Sequence, residues 1–289
     1  TGSLHSGYIR SIYEDHQNQL WIGTNRTLER FDRHNEEFEL MFSVPDDQVY
    51  VSKMYEDTEH NLWIGTHSHG LLRYKPRKDT VVSSEVNSWY ADDIQVIYDI
   101  TEDDEGYLWL ATTNGIYKLD IENHTSEHFS HDPGNPNTIP SNNVHDLEID
   151  NDQTIWIATY GSGICNYDPD KNSFTRYKSS SAAGSLSSDL VRSLLVDSQG
   201  HLWVISESGL DLFQREEQTF RNYHHIDNNP NALVNNKLWC ICEDRQQNIW
   251  LGHYLDGVSF SDFNTNKPFY NLSVKSYPVT LNNKYVNDI

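Results

Sequence analysis

The residues of this 289-residue chain that could do chemistry lie in dissimilar turns, loops and strand starts, not in one compact motif. Histidine stands at His67, His69 and His253, basic groups at Arg26 and Arg192, carboxylates at Glu207 and Asp256, and an amide at Asn114. Aromatic rings stand at Trp89, Tyr90, Tyr160, Trp239 and Tyr254. Rings stack on sugar faces while amides, hydroxyls and a few charges fix hydroxyl groups, so this mixture suits a polyhydroxylated ligand. Trp89 and Tyr90 have a second reading, in which they pack a loop onto the body of the protein. Other chemistries are less well served. His67 and His69 suggest a metal pair, but no third ligand accompanies them and a solvated turn accounts for both. No metal or other cofactor is expected. Glu207, Asp256, Asp92 and Asp93 could supply the acid and base of a polysaccharide lyase or glycosidase, yet nothing marks two of them as facing one substrate.

What positions these turns is a repeat. Tryptophan recurs at Trp21, Trp63, Trp109, Trp156, Trp203 and Trp250, in steps of 42, 46, 47, 47 and 47 residues. Each sits in nearly the same short run, as in Leu62-Trp63-Ile64-Gly65-Thr66 and Ile155-Trp156-Ile157-Ala158-Thr159. Such runs, rich in aromatic and β-branched residues and bounded by polar turns, carry the strand signal. An apolar run ending in an acidic residue precedes each one, a Gly-led apolar run follows, and a shorter aromatic piece closes the unit. Four antiparallel strands per unit follow, called A to D in chain order. Helical periodicity is absent, and four-stranded units at this spacing describe an all-β propeller. The whole chain, 1–289, reads as one propeller domain with blades near 9–50, 51–96, 97–143, 144–190, 191–237 and 238–285.

The repeated features read as scaffold. The strand B tryptophan is expected between neighbouring blades, where burying an indole contributes about 4–6 kcal/mol as an upper bound. The acidic residue closing strand A recurs as Asp15, Asp57, Asp103, Asp150, Asp197 and Asp244. An aspartate accepting backbone N–H groups in a tight turn explains it; calcium ligation in loops such as Asp150-Asn151-Asp152 is the alternative. The A–B turns are monotonous. The B–C turns and the D–A loops share the opposite end of each blade and are diverse, so recognition belongs there. Just after the start of strand A the residue also varies, as Arg10, Ser52, Tyr98, His145, Arg192 and Trp239. These side chains are expected near the mouth of the central channel.

Both ends of the chain cut across the repeat. Asn282 to Ile289 reads as the approach to a seventh strand A, so the chain is expected to be a piece of a longer protein. A blemished ring closure, or an intermolecular contact at the open edge, is expected with it. Composition bounds the partners. Lys+Arg of 21 against Asp+Glu of 43 gives a formal charge of −22, which disfavours nucleic acid and anionic membranes. The three cysteines, Cys165, Cys240 and Cys242, form no disulfide framework and read as small buried apolar residues.

The repeat closely resembles the two-component regulator propeller repeat. Its pattern runs apolar-x-x-Ile-x-x-Asp, x-x-Gly-x-Leu-Trp-Ile-Gly-Thr and Gly-Leu-x-x-Phe/Tyr. Asp197-Ser198-Gln199-Gly200-His201-Leu202-Trp203 and Asn61 to Leu71 match it well. Thr27 departs from it in place of a glycine, and Ser206 and His253 in place of the Thr after strand B. The resemblance implies a non-catalytic periplasmic sensor of glycan breakdown products in a hybrid two-component system. In such systems two propellers precede a β-sandwich, a membrane helix, a histidine kinase, a receiver and a DNA-binding output domain. It implies an oligosaccharide ligand and contacts with the neighbouring propeller and β-sandwich, leaves a homodimer open, and reaches the membrane only through the parent chain. Ligand contacts vary between family members, so none is carried across. A protein-interaction platform is a further reading, favoured by a flat variable face.

Overall fold

The computed structural model describes residues 3–43, 49–75, 78–83, 96–169, 171–261 and 269–272. Among them all regular structure is β, as six four-stranded antiparallel sheets, each with its strands in chain order from A to D. The fold is the all-β propeller with six blades. Strand A runs over Ile9–Glu14, Val51–Glu56, Ile97–Glu102, Val144–Ile149, Val191–Val196 and Leu238–Glu243. Strand B runs over Leu20–Thr24, Leu62–Thr66, Leu108–Thr112, Ile155–Thr159, Leu202–Ser206 and Ile249–His253. The chain forms two compact units, residues 1–130 with blades 1 to 3 and residues 131–289 with blades 4 to 6. The expected seventh-repeat segment, Asn282 to Ile289, lies outside the described residues.

Within each unit the strand B tryptophan packs against the next blade. Trp21 joins Val51, Met54, Leu62 and Ile64 of blade 2, and Trp63 joins Ile97, Ile100, Leu108 and Leu110 of blade 3. Trp156 likewise meets Val191, Leu194 and Phe213 of blade 5, while Trp203 meets Leu238, Ile249 and Leu251 of blade 6. Five of the six indoles are at most 2% exposed. Trp250, in the last blade of its unit, is half-buried and stacks on Phe260 with ring centroids 4.8 Å apart.

The closing aspartate does more than its sequence position promised. One carboxylate oxygen accepts the expected turn N–H groups, as Asp57 Oδ1 does from Glu59 at 3.0 Å and Asn61 at 2.7 Å. The other accepts the indole N–H of the strand B tryptophan six residues on, at 2.7–2.9 Å in all six blades. A buried indole N–H needs a partner, and an ionised acceptor makes the stronger bond. Asp150 shows the balance: burial pushes its carboxyl up, but the bonds from Trp156 and Arg215 outweigh that and hold it below the usual range. The lock therefore ties the A–B turn, the sheet and the blade interface through one side chain.

Strand C opens on a glycine because nothing larger fits. A Cβ on Gly163, at φ 78°, would stand 2.2 Å from the Tyr177 carbonyl oxygen. In blade 1 Thr27 replaces this glycine, and there the C–D pairing shifts register between Leu28 and Glu29. Cys165 is buried, and burial pushes its thiol up, whereas Cys240 and Cys242 are half-buried and not the core residues expected.

Candidate functional site

The variable position of strand A has a structural cause. In every blade the A–B register slips at that residue, skipping Arg10, Ser52, Tyr98, His145, Arg192 and Trp239 in turn. A β-bulge leaves one residue out of the ladder and re-aims its side chain. The B–C turn is fastened beside it: Tyr160 N–H donates to Asn143 O at 3.0 Å, Glu207 N–H to Leu190 O at 3.2 Å and Tyr254 N–H to Lys237 O at 3.0 Å. Blades 1, 2, 4, 5 and 6 thus present a bulge side chain and a B–C turn side by side.

In blades 4 to 6 these side chains form one continuous cluster. His145 stacks on Tyr160 with centroids 4.9 Å apart. The Tyr160 hydroxyl donates to Glu207 Oε1 at 2.5 Å, and Arg192 Nη2 donates to the same oxygen at 2.7 Å. The Arg192 guanidinium lies 4.9 Å from the Tyr160 ring centroid and 4.0 Å from that of Trp239, and Trp239 stacks on Tyr254 at 5.3 Å. Arg192, Glu207, Lys237, Leu238, Trp239 and Tyr254 line a cleft of 270 Å³. That is near the lower end of the roughly 300–1,000 Å³ typical of small-molecule sites, enough for a group the size of one sugar ring. The Tyr160 hydrogen bond, with Arg192 behind it, holds the Glu207 carboxyl below its ordinary range, so it is an anion and an acceptor at neutral pH.

Blades 1 to 3 carry a smaller cluster by the same device. The Arg10 guanidinium lies 5.2 Å from the Tyr50 ring centroid, Tyr50 stacks on His67 at 5.7 Å, and His67 meets Tyr98 edge-on at 5.0 Å. Burial, and secondarily the charge of Arg10, lowers the His67 pKa and favours the neutral ring. His69 turns elsewhere, to Ser68 Oγ at 2.8 Å and the edge of Phe42. The two imidazoles therefore do not share a centre.

The remaining residues singled out from sequence do not join either cluster. Arg26 is exposed, its N–H bonded to Thr24 Oγ1. Asn114 is held by its own blade, donating to the Tyr117 hydroxyl at 3.0 Å. Asp256 is exposed and bonded to Asn235. His253 is fully buried, with Nε2 2.7 Å from Ser259 Oγ, so its ring is core and not surface. It occupies the place of Thr66, Thr112 and Thr159, whose hydroxyls donate to the glycine carbonyl of the B–C turn. Trp89, Tyr90, Asp92 and Asp93 lie outside the described residues. Lys237 and Leu238 in the cleft were not expected; their signal is position alone, since they immediately precede the bulge residue Trp239.

The fold is a propeller with a uniform locked scaffold and a bulge-built aromatic cleft at its variable end. The family follows from the repeat. The two component regulator propeller model matches residues 3–26, 43–68, 86–114, 138–161, 185–208 and 232–254, and the chain belongs to that family. It is 25% identical over 198 residues to histidine kinase P4 of Formosa agariphila, covering 67% of this chain and 14% of that protein. The extracellular domain assigned to the hybrid two component system BT3049 of B. thetaiotaomicron superimposes with a TM-score of 0.80 at 20% identity, over 99% of this chain and 38% of that one. A virginiamycin B lyase from Staphylococcus aureus shares the fold at TM-score 0.67 and 12% identity, over 93% of this chain and 85% of that one. The chain therefore spans about a seventh of the curated relative and well under half of the first structural one.

Proposed function

We propose that this chain is a non-catalytic, extracytoplasmic sensor module that binds an oligosaccharide and biases the kinase of a longer hybrid two-component protein. The observation that carries the reading is the cleft of blades 5 and 6, where the Trp239 and Tyr254 rings stand beside Arg192 and Glu207, whose carboxylate Tyr160 of blade 4 holds in place. An apolar ring face beside fixed polar groups matches the two faces of a sugar. The relatives are a histidine kinase and a domain assigned to a two component system, which supports a sensory role and a periplasmic location. In the parent chain a neighbouring propeller, a β-sandwich or a second copy would meet this module, and the ligand would act by binding one arrangement better than another. The shared fold of the lyase does not favour catalysis here. A general acid needs a raised carboxyl pKa, and Glu207 has a lowered one.

Isothermal titration against a panel of neutral and acidic oligosaccharides tests the reading. Binding by the wild type that Trp239→Ala weakens by at least about tenfold, with no turnover of the ligand, is the expected result. No binding to any member, or binding indifferent to both Trp239→Ala and Arg192→Ala, would overturn it.

A further inference from the structure

The turns at the opposite end of the blades carry one arrangement that the glycan reading neither uses nor needs. The first residue of an A–B turn is capped by a glutamate of the next blade, the residue just before that blade's locking aspartate. Thr58 N–H and hydroxyl donate to Glu102 at 2.8 and 3.0 Å, and Ser198 N–H and hydroxyl donate to Glu243 at 2.7 Å each. Between blades 1 and 2 the backbone half is the same, His16 N–H donating to Glu56 Oε2 at 2.8 Å. The hydroxyl, however, is replaced by an imidazole, with His16 Nδ1 against Glu56 Oε1.

A second imidazole joins it. His60 occupies the left-handed position of the blade 2 turn, φ 64°, where other blades carry Gly106, Gln153, Gly200 and Gln247. Its Nδ1 stands 3.6 Å from the same Glu56 Oε1. The two imidazoles stack with centroids 3.9 Å apart and planes 22° from parallel. One ligand atom from each of His16, Glu56 and His60 lies within 4.8 Å of the others, and this is the one such trio among the described residues.

Two imidazole nitrogens and one carboxylate oxygen stand close enough together for a single divalent cation to meet all three donors at once. With ligand distances of about 2.0–2.2 Å in tetrahedral geometry, two ligands of one ion stand roughly 3.3–3.6 Å apart, which the His60–Glu56 pair already satisfies. His16 is the more tightly drawn pair and is exposed enough to swing outward. Imidazole with carboxylate selects zinc, nickel or copper over magnesium or calcium, which prefer all-oxygen sites.

We propose that His16, Glu56 and His60 bind a divalent transition-metal ion of the Zn²⁺ class, with water completing its shell, so that the ion ties the A–B turns of blades 1 and 2. The repeat supplies the test variants. His16→Thr copies Thr58 and keeps the glutamate cap; His60→Gln copies Gln153 and Gln247 at the left-handed position. Titration with ZnCl₂, followed by calorimetry and by thermal melting, should show one equivalent bound by the wild type and a raised midpoint, with MgCl₂ giving neither. Each variant should keep the metal-free midpoint and bind Zn²⁺ at least about tenfold more weakly. Absence of Zn²⁺ binding by the wild type, or equal binding by both variants through other histidines, would overturn the proposal.

Discussion

The two ends of each blade are built from the same strands and obey opposite rules. At the A–B end one device is repeated six times: an aspartate whose two oxygens hold a turn and an indole. At the other end a bulge is repeated just as faithfully, but the residue it carries is different in nearly every blade, Arg, Ser, Tyr, His, Arg and Trp. The lesson is about where identity is required. The lock needs two acceptors at fixed places, so only aspartate fits. The bulge needs a backbone geometry that many side chains tolerate, because the displaced residue leaves the ladder.

Substitutions at the two ends should separate accordingly. The largest loss is expected from Trp63→Ala, which empties a fully buried site in the blade 2–blade 3 interface. It should cost about 3–5 kcal/mol, read from urea unfolding. A loss under about 1 kcal/mol would show that the indoles are not the scaffold. Asp57→Asn comes next. An amide offers one acceptor where Glu59, Asn61 and Trp63 need two, and the loss should be about 1–3 kcal/mol. At the variable end Trp239→Ala should cost about 2 kcal/mol of oligosaccharide affinity while leaving the unfolding midpoint nearly unchanged. Equal damage to stability would erase the distinction between the ends.

Acid should probe both. The bonds from Asn248 and Trp250 hold the Asp244 carboxyl at about 2, below its ordinary value of 3.8. Its contribution is therefore complete above pH 4 and lost as pH falls toward 2. His253 acts in a higher window. Burial lowers its pKa from 6.5 to about 4, so its folded form stays neutral while the unfolded chain takes up a proton. The resulting stability is fully present above pH 6.5 and declines as pH drops toward 4. His253→Thr restores the residue of Thr66 and Thr159 and should flatten the stability profile across that window, by about 1–3 kcal/mol at pH 4. An unchanged slope would mean that the imidazole is not buried. Arg26→Ala should be the smallest change, within about 0.5 kcal/mol of wild type, since its side chain is exposed.

The candidate site was only partly legible. Tyr160, Arg192, Glu207, Trp239 and Tyr254 are singled out by sequence because they stand where the repeats differ, and the structure brings them together. The same rule misled at His253, which breaks the pattern inside the core, where its ring bonds Ser259. It passed over Lys237, which breaks no pattern. It also assigned His16 and His60 to scaffold, because each turn looks ordinary until the two blades meet at Glu56.

By itself the sequence determined the blade, its strand order, the indole at each interface and the family. Those depend on local alternation and on a period of about 47 residues, which the chain carries in one dimension. Tertiary structure decided which oxygens the indoles bond, that the variable residues are bulges, and that Arg192 lies between Tyr160 and Trp239. The indole bonds and the bulges lie within one blade and turn on where the folded strands place each side chain, while the Arg192 contacts join different blades, and only the packing of blade on blade sets those distances.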